Sequence, residues 1–374
     1  MPARTFQMYE SHLLLRGRRL DKSSFRLKKI LHILLLPFGA IYGIIGLIRR
    51  WLYRIGWLSS YRSTLPTICI GNLAVGGTGK TPMVEYLVRM LKNDHKVSTL
   101  SRGYKRKTTG YLNSADTKQV DACSFGDEPA QLHQKFPDIQ VVVCEKRAEG
   151  LRRLERAAQR PDIVLLDDAY QHLQVRCNLN LLLTDFFRLY RNDFPMPAGR
   201  LREFPSAANA ADAVIVTKCP HTLTSEEATA IRTKLKLNPN QSCFFTTLVY
   251  DEITPITPVS KRMLLTDTAS VILLTGIANP QPIHQEISKQ FSDIETISYR
   301  DHHSFTTKEM ADLCKKIAEK GKDAVIITTE KDAVRLRDTS LIDRTEQLPI
   351  FVLPIKVKFL FGEEEFIQMV NKIQ

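Results

Sequence analysis

A glycine-rich segment, GNLAVGGTGKT, runs from Gly71 to Thr81. It follows a β-prone run at residues 65–70 and leads into an amphipathic helical pattern at residues 82–91. Glycines allow backbone N–H groups to turn inward and approach phosphate oxygens, and the new helix directs its positive N-terminal end at the same anion. The order of strand, glycine loop and helix therefore predicts a phosphate-binding loop of the nucleoside triphosphatase type.

The Gly-Lys-Thr end of this loop carries its most specific chemistry. We expect Lys80 to reach the β and γ phosphates of ATP, and the Thr81 hydroxyl to ligate Mg2+. Ala74 stands where the consensus has its first glycine, and an ordinary glycine-rich turn before a helix is the competing interpretation. The predicted nucleotide-binding residues are Ala74, Val75, Gly76, Gly77, Thr78, Gly79, Lys80 and Thr81.

The positive charge of the chain is concentrated near its N-terminus. The 374 residues carry a net charge of +13, but residues 1–62 alone hold twelve Lys or Arg and two Asp or Glu. The remaining 312 residues therefore carry only +3. This distribution argues against a nucleic-acid-binding function for the folded part.

An apolar run of nineteen residues without a formal charge, 30–48, lies inside the basic segment, and both tryptophans follow it. Basic flanks and interfacial aromatics are typical of a membrane segment. A cleaved signal peptide fits poorly because the run starts late and lacks a small-residue cleavage site, whereas a buried core helix and a full span remain alternatives. Pro37 and three glycines favour a helix embedded in one leaflet. Gly39 and Gly43 also form a G-x-x-x-G pair that could pack a partner helix.

From residue 67 onward, short apolar runs alternate with helical patterns. Such alternation indicates a parallel sheet covered by helices on both faces. We therefore predict an α/β fold with a P-loop NTPase-like sheet, a second smaller α/β lobe and an N-terminal membrane-associated helix. The predicted ranges are a basic arm and membrane helix at 1–62, a P-loop domain at 63–250, a linker at 251–270 and the smaller lobe at 271–374.

Two carboxylates end the hydrophobic strand that we predict at residues 163–167. In phosphate-loop enzymes an Asp at the carboxyl end of a neighbouring strand helps to hold magnesium, so Asp167 and Asp168 are candidate metal ligands. The alternative is that they cap a strand-to-helix turn. Gln171 and His172 follow directly, at the edge where ligands bind in open α/β sheets.

Further polar residues follow other predicted strands. Arg102 could contact phosphate, although an ordinary loop arginine is the simpler interpretation. Arg200 and Arg202 lie in a loop that could bind an anionic substrate group or be a solvated surface. Asp127 opens a helix, either as its N-cap or as a general base that takes the proton of an attacking hydroxyl.

The smaller predicted lobe contains two adjacent histidines, His302 and His303, just before a helix. Adjacent side chains point in different directions, which argues against a zinc site formed by this pair. One imidazole that faces the cleft could orient an acid or stabilise charge.

Nine motifs follow one another from about residue 27 to 335, and together they resemble the tetraacyldisaccharide 4′-kinase family of the lipid A pathway. The chain departs from the family pattern at Ala169 and Tyr170, where Gly and Phe are common, and at Arg200, where Pro is common. The motifs are LPFGAIYG, GNLAVGGTGKTP, SRGY, GDEP, DDAYQH, PAGRLRE, TGIANP, DHHSF and TEKDAV.

The resemblance implies a monotopic enzyme on the cytoplasmic face of the bacterial inner membrane. It would move the γ-phosphate of ATP to the 4′-hydroxyl of a tetraacylated glucosamine disaccharide 1-phosphate. By motif, Lys80 and Thr81 hold phosphates and Mg2+, Asp167 and Asp168 complete the metal side, and Asp127 is the base with His302 as its partner. The substrate- or phosphate-side candidates are Arg102, Gln171, His172, Arg202 and Glu203.

The expected partners are the lipid disaccharide and the membrane surface, with no nucleic acid and no obligate protein partner. One rival function is a membrane-associated partitioning ATPase, whose loop often has a lysine where this chain has Val75. Another is a soluble small-molecule kinase with a vestigial N-terminal helix.

Overall fold

The structure is a computed structural model that describes residues 22–277, 279–301, 303–337 and 340–373. It confirms the predicted α/β class, with two β-sheets that follow a long N-terminal helix. The strands are β1 (Thr67–Asn72), β2 (Val97–Ser101), β3 (Leu112–Asn113), β4 (Gln140–Val143), β5 (Ile163–Asp167), β6 (Leu179–Asp185), β7 (Ala213–Thr217), β8 (Ser242–Tyr250), β9 (Thr254–Pro255), β10 (Val271–Thr275), β11 (Ile294–Ser298), β12 (Val325–Thr328), β13 (Ile350–Val352) and β14 (Ile355–Phe361).

The helices cover both faces of the larger sheet and flank the smaller one. They are α1 (Lys22–Arg54), α2 (Lys80–Leu91), α3 (Ala122–Phe125), α4 (Asp127–Lys135), α5 (Arg147–Glu155), α6 (Ser225–Leu235), α7 (Gln281–Ile287), α8 (Thr307–Lys320), α9 (Glu330–Leu336), α10 (Ile342–Thr345) and α11 (Glu363–Asn371).

Within the described residues the larger sheet has nine strands, in the order β14-β8-β7-β6-β1-β5-β2-β4-β3. The strands from β8 to β4 are parallel, and antiparallel β14 and β3 close the two edges. The strand β1 lies between β5 and β6, with Ile70 opposite Asp167. Because these strands are parallel, the phosphate loop and the paired carboxylates emerge at the same edge of the sheet.

Both faces of this sheet are buried, as its continuously apolar strands predict. On β5, Val164 and Leu166 pack on one face with α5 and α6, whereas Ile163 and Leu165 pack on the other with α2 and α11. The packing fixes the direction of each strand, and therefore the places where the loops at the carboxyl edge begin.

The smaller sheet has the order β11-β10-β12-β13-β9, all parallel except for the edge strand β9. The sheets divide the chain differently from the predicted ranges. The predicted linker supplies β9, and β14 returns from the smaller lobe to pair antiparallel with β8 of the larger sheet. Since β14 and α11 are amphipathic, they complete the apolar edge of the larger sheet through Phe359 and Phe366.

The first helix is continuous from Lys22 to Arg54 and contains Pro37. Among the described residues, one helical stretch is long and apolar enough to cross a membrane: Ile33–Arg54, with only 11% buried. This exposed apolar helix is consistent with membrane association.

Candidate active site

The phosphate loop lies between β1 and α2 and is held from both sides. Its last glycine, Gly79, has φ 82° and caps α2, and Gly76 has φ 117°, so both use the left-handed backbone that glycine tolerates best. The Asn72 amide donates a hydrogen bond to Thr78 Oγ1 at 2.7 Å, and the Thr217 hydroxyl donates to the Thr78 carbonyl at 2.9 Å. These two hydrogen bonds fix the position of Thr78 and so constrain the shape of the loop.

Asp168 contacts two other predicted site residues, Lys80 and Arg202, and Arg202 in turn contacts Gln171. Its carboxylate lies 3.5 Å from Lys80 Nζ and accepts hydrogen bonds from Arg202 Nη1 at 3.1 and 3.0 Å. The same Arg202 nitrogen lies 3.3 Å from Gln171 Oε1. Burial opposes ionisation of Asp168, but the charges of Lys80 and Arg202 outweigh it and lower its pKa. Asp168 is therefore an anion at neutral pH, and its φ of 48° is unusual for a residue other than glycine.

Asp167 has a different environment from its neighbour. Its Oδ1 atom is buried and has no hydrogen-bond partner among the described residues. Burial, followed by repulsion from Glu128, raises the pKa of Asp167 to about 7. The pKa values of the two adjacent carboxylates thus shift in opposite directions, because Lys80 and Arg202 lie beside Asp168 whereas burial dominates at Asp167.

Two arginines, Arg147 and Arg102, and the imidazole of His172 form a second polar group near the carboxylates. Arg147 is fully buried and donates to the Cys144 carbonyl at 2.9 Å, and burial lowers its pKa to about 10. Burial, with the charges of Arg147 and Arg102, lowers the pKa of His172 to about 4. His172 is therefore neutral near pH 7, whereas Arg102 is exposed just beyond β2.

The loop that carries Arg202 pairs directly with the phosphate loop. The Arg202 N–H donates to the Leu73 carbonyl at 2.7 Å, and the Val75 N–H donates to the Arg200 carbonyl at 2.8 Å. An antiparallel bridge joins Ala74 to Leu201 between these bonds. We call residues 194–204 the arginine loop. The pairing makes the arginine loop a structural extension of the nucleotide site.

Glu203 differs from the other predicted substrate-side residues. Its carboxylate forms an ion pair with Arg50 of α1, and its side chain is only 7% exposed. The structure therefore joins this residue to the N-terminal helix, whereas Lys80, Asp168, Gln171 and Arg202 form one contact group.

Asp127 is the first residue of α4, and Gly126 takes the N-cap position. The N-cap interpretation of Asp127 is therefore wrong. Its Oδ2 atom accepts hydrogen bonds from Arg335 Nε at 3.2 Å and Nη2 at 3.0 Å, and Asp332 holds the same guanidinium at 3.1 Å. Since Arg335 belongs to α9, a cation from the smaller lobe holds the candidate base of the larger one.

Of the two adjacent histidines, the structure describes only His303. His302 lies outside the described residues. His303 has its Nε2 atom 3.0 Å from Glu309 and stacks on the Tyr299 ring with 4.3 Å between centroids. His303 thus contributes to packing at the start of α8, and the choice of His302 as the partner of Asp127 stays a prediction.

Sequence reasoning missed several residues that contact the site. Lys218 donates to the carbonyl of Gly77 in the phosphate loop and pairs with Asp185 at 2.8 Å. Arg335 follows the TEKDAV motif, which marks the segment but does not reveal its contact 208 residues away. For Lys218 the available signal was a polar residue directly after a strand, which many surface loops share.

Of the metal candidates, Asp167 ends β5, Asp168 follows it, and Thr81 lies in the first turn of α2 after β1, so all three come from the carboxyl ends of neighbouring strands. In the part of the chain that the structure describes, no group of three or more His, Cys, Asp or Glu side chains is arranged to hold a metal ion. This is compatible with Mg2+, which proteins usually hold through one or two carboxylates together with substrate phosphates.

Comparison with known proteins gives the family. A family model described as "Tetraacyldisaccharide-1-P 4'-kinase" matches residues 31–374. The chain belongs to the tetraacyldisaccharide-1-P 4′-kinase family. It is 42% identical to the tetraacyldisaccharide 4′-kinase of Flavobacterium johnsoniae over 339 residues, 90% of this chain and 95% of the relative. It is 38% identical to that of Bacteroides thetaiotaomicron over 348 residues, 90% of this chain and 91% of the relative.

A solved structure agrees with these relatives. The crystal structure of LpxK from Aquifex aeolicus, in complex with ATP, superposes with a TM-score of 0.69 at 28% identity and covers 92% of this chain and 99% of that one. The predicted family, enzyme class and fold are confirmed. The tetraacyldisaccharide-1-P 4′-kinase family is a family of lipid A kinases, so membership does not favour the partitioning ATPase alternative.

Proposed function

We propose that this kinase transfers the γ-phosphate of ATP to the 4′-hydroxyl of a tetraacyl glucosamine disaccharide 1-phosphate at the carboxyl edge of the larger sheet. The observation that carries the proposal is the contact group of Lys80, Asp168 and Arg202 beside the phosphate loop, together with Asp127 at the start of α4, which Arg335 holds. Glu128, the residue after Asp127, raises the pKa of Asp167 by its charge, so the start of α4 faces the same carboxylates. The presence of ATP in the Aquifex aeolicus complex supports the identity of the phosphate donor.

Phosphoryl transfer depends mainly on positioning and on stabilising charge. Lys80 would bind the β and γ phosphates in place of its contact with Asp168, while the loop N–H groups of residues 74–79 hold the phosphate oxygens. Arg202 would stabilise the charge that develops on the transferred group. Neutral His172 and the amide of Gln171, with exposed Arg102, would contact the sugar or its phosphate.

The carboxylates of Asp167 and Asp168 have the chemistry expected of Mg2+ ligands. Asp167 has a buried oxygen without a described partner, and Asp168 is already ionised, so both offer the hard oxygen ligands that Mg2+ prefers. Thr81 supplies the hydroxyl that phosphate-loop proteins use for the same ion. When bound, Mg2+ neutralises charge on the β and γ phosphates.

Asp127 would accept the proton of the attacking 4′-hydroxyl. Arg335 holds one carboxylate oxygen through two N–H groups, and this contact restricts the orientation of the Asp127 side chain. His302 would orient Asp127 or stabilise its charge, in the role that the family resemblance implies.

The membrane position follows from the substrate and from α1. A tetraacylated lipid does not leave the bilayer, and α1 presents exposed apolar side chains, with Trp57 79% exposed just beyond its end. We propose a monotopic protein at the cytoplasmic face of the inner membrane, where ATP is present. We further propose that it acts without nucleic acid and without an obligate protein partner.

The test is transfer of label from γ-labelled ATP to the tetraacyl disaccharide 1-phosphate in detergent micelles with Mg2+. A labelled lipid product that disappears in Lys80→Ala is the expected result. Release of free labelled phosphate without labelled lipid would reject the proposed acceptor.

A further inference from the structure

The glycines of α1 dock the helix onto the body of the protein. A Cβ atom at Gly39 would lie 2.6 Å from the Pro195 carbonyl oxygen, and one at Gly43 would lie 2.3 Å from the ring of Phe204. Both distances are shorter than non-bonded contacts allow, so the helix backbone touches the arginine loop without intervening side chains. The G-x-x-x-G pair therefore packs against this chain's own loop, as small residues do wherever a backbone must approach closely.

An ion pair extends the same contact by two helical turns. Arg50 pairs with Glu203 of the arginine loop, and its guanidinium lies 5.3 Å from the centre of the Tyr170 ring. The side chains of Arg50 and Glu203 are only 18% and 7% exposed, so solvent screens this pair weakly. Glu203 follows Arg202 directly, and Arg202 holds Asp168.

The opposite side of α1 remains uncovered. Its apolar side chains are about half exposed or more, which suits contact with acyl chains. These exposed residues include Leu34, Phe38, Ile41, Ile45 and Ile48. One helix therefore offers a lipid-facing side and a glycine side that is packed against the arginine loop.

We propose that the glycine side of α1 positions the arginine loop, so that the membrane helix sets the placement of Arg202 in the nucleotide site. The contact runs from Gly43 through Phe204 to Glu203 and Arg202. The backbone bonds between the arginine loop and the phosphate loop continue it to Leu73 and Val75. Gly43 and Arg50 are thus positioning residues, and the helix is more than an anchor. This inference rests on the proposed kinase function for its activity readout.

Two matched alanine substitutions on the same helix test the proposal. A Cβ atom at Gly43 would lie 2.3 Å from Phe204, whereas one at Gly46 would lie 3.5 Å from Glu203, which is an ordinary contact. Gly43→Ala and Gly46→Ala add the same methyl group and gain the same helix propensity. We expect Gly43→Ala to lower kcat for labelled lipid at least tenfold and to leave the KM for ATP within about threefold. Gly46→Ala should retain kcat within about twofold of the parent.

Membrane binding is measured on the same variants by flotation with vesicles of phosphatidylethanolamine and phosphatidylglycerol. Both variants should float like the parent, because the lipid-facing side chains are unchanged. A loss of flotation in Gly43→Ala that accounts for its loss of activity would overturn the proposal, as would equal activity losses in the two variants.

Hydrogen exchange supplies a readout that does not depend on activity. The amides of Val75 and Arg202 are bonded across the two loops and should exchange faster in Gly43→Ala than in the parent, with no change in Gly46→Ala. Unchanged exchange in both variants would refute the coupling. If the full-length parent transfers no label to lipid, the proposed function fails, but faster exchange in Gly43→Ala alone would still support the positioning.

A charge exchange separates positioning from direct substrate binding by Glu203. Arg50→Glu and Glu203→Arg should each lower kcat at least tenfold, and the double variant should recover most of the loss because the ion pair is restored in reverse. A double variant that is no better than Glu203→Arg would show that Glu203 acts on the substrate itself, and would remove Arg50 from the proposal.

Discussion

Replacement of Arg335 by glutamine tests whether the smaller lobe positions the candidate base. The guanidinium joins Asp127 through Nε at 3.2 Å and Nη2 at 3.0 Å, and its side chain is only 7% exposed. It is held in turn by Asp332, which accepts hydrogen bonds from the Gly276 N–H at 2.9 Å and the Thr329 hydroxyl at 2.7 Å. The smaller lobe thus presents a preorganised cation to Asp127.

The size of the effect follows from these two contacts. A hydrogen bond to a charged group contributes about 1.5–3 kcal/mol. If one such bond is lost from the positioning of Asp127, kcat should fall by about one to two orders of magnitude, since each 1.36 kcal/mol corresponds to a factor of ten in rate. The KM for ATP should change little, because the described contacts of Arg335 are with Asp127, Asp332 and Gly276 and lie away from the phosphate loop.

The assay is transfer of γ-labelled phosphate to lipid at saturating and subsaturating ATP. Lys135→Gln is the matched control, because Lys135 joins the same two helices through its ion pair with Glu330 but has no described contact with Asp127. We expect Arg335→Gln to lower kcat and Lys135→Gln to retain it within about threefold. Arg335→Lys should fall between them, since an ammonium keeps the charge but lacks the planar pair of donors.

Equal losses in Arg335→Gln and Lys135→Gln would refute the reasoning, because they would show that any weakened contact between the lobes has the same effect. A thermal unfolding scan of each variant identifies a loss of activity that results from a loss of fold.

The other predictions concern the phosphate loop, the base, the buried carboxylate and a packing contact. Lys80→Ala should lower lipid phosphorylation by at least two orders of magnitude because a positioned cation at the phosphates is lost, and near-parent turnover would exclude the proposed role. Asp127→Asn should lower kcat by about 10²–10⁴ while ATP affinity, measured by titration calorimetry, stays near that of the parent; near-normal turnover would remove Asp127 as the base. Burial and Glu128 raise the pKa of Asp167 to about 7, above its unfolded value of about 3.9. Between these two pH values the folded protein holds a proton on Asp167 that the unfolded chain has lost, so the free energy of unfolding falls as the pH rises from about 4 to about 7. The stability advantage of Asp167→Asn over the parent, measured by urea unfolding with EDTA, should therefore grow by about 2.6 kcal/mol from pH 5 to pH 8, and a pH-independent difference would contradict it. Gly71→Ala should lower the free energy of unfolding by about 1–3 kcal/mol, because the new Cβ would lie 2.5 Å from the Cβ atom of Tyr170; unchanged urea unfolding would contradict the overlap.

Much of the fold could be predicted because its signals are local. Each buried parallel strand is a short continuous apolar run, and the strand predicted at residues 163–167 is present with the same bounds. The last strand, β14 (Ile355–Phe361), was not predicted. Only Val357 and Phe359 of this strand are buried, with exposed Lys358 between them, and nothing in that short pattern tells which of two sheets the strand joins. The antiparallel pairing with β8 decides it.

In the candidate site, too, the features with local sequence signals could be predicted and those set by distant contacts could not. The phosphate loop could be predicted because glycines, lysine and threonine act through neighbouring backbone, and Asp167 and Asp168 could be placed because parallel strands end at one edge. The charge states of these two carboxylates could not be predicted. They depend on Lys80 and Arg202 beside Asp168, and on the burial of Asp167, whose Oδ1 atom has no hydrogen-bond partner among the described residues.

The amino-acid sequence by itself therefore determined the α/β class, the phosphate loop and the apolar helix near the N-terminus. Periodicity and local backbone chemistry encode these features, and they need no knowledge of the chain path. Only the tertiary structure decided which distant residues meet: Arg335 with Asp127, Arg50 with Glu203, and Gly43 with the ring of Phe204. Such contacts join segments more than a hundred residues apart, and they exist only because the packing of helices on the sheets brings those segments together.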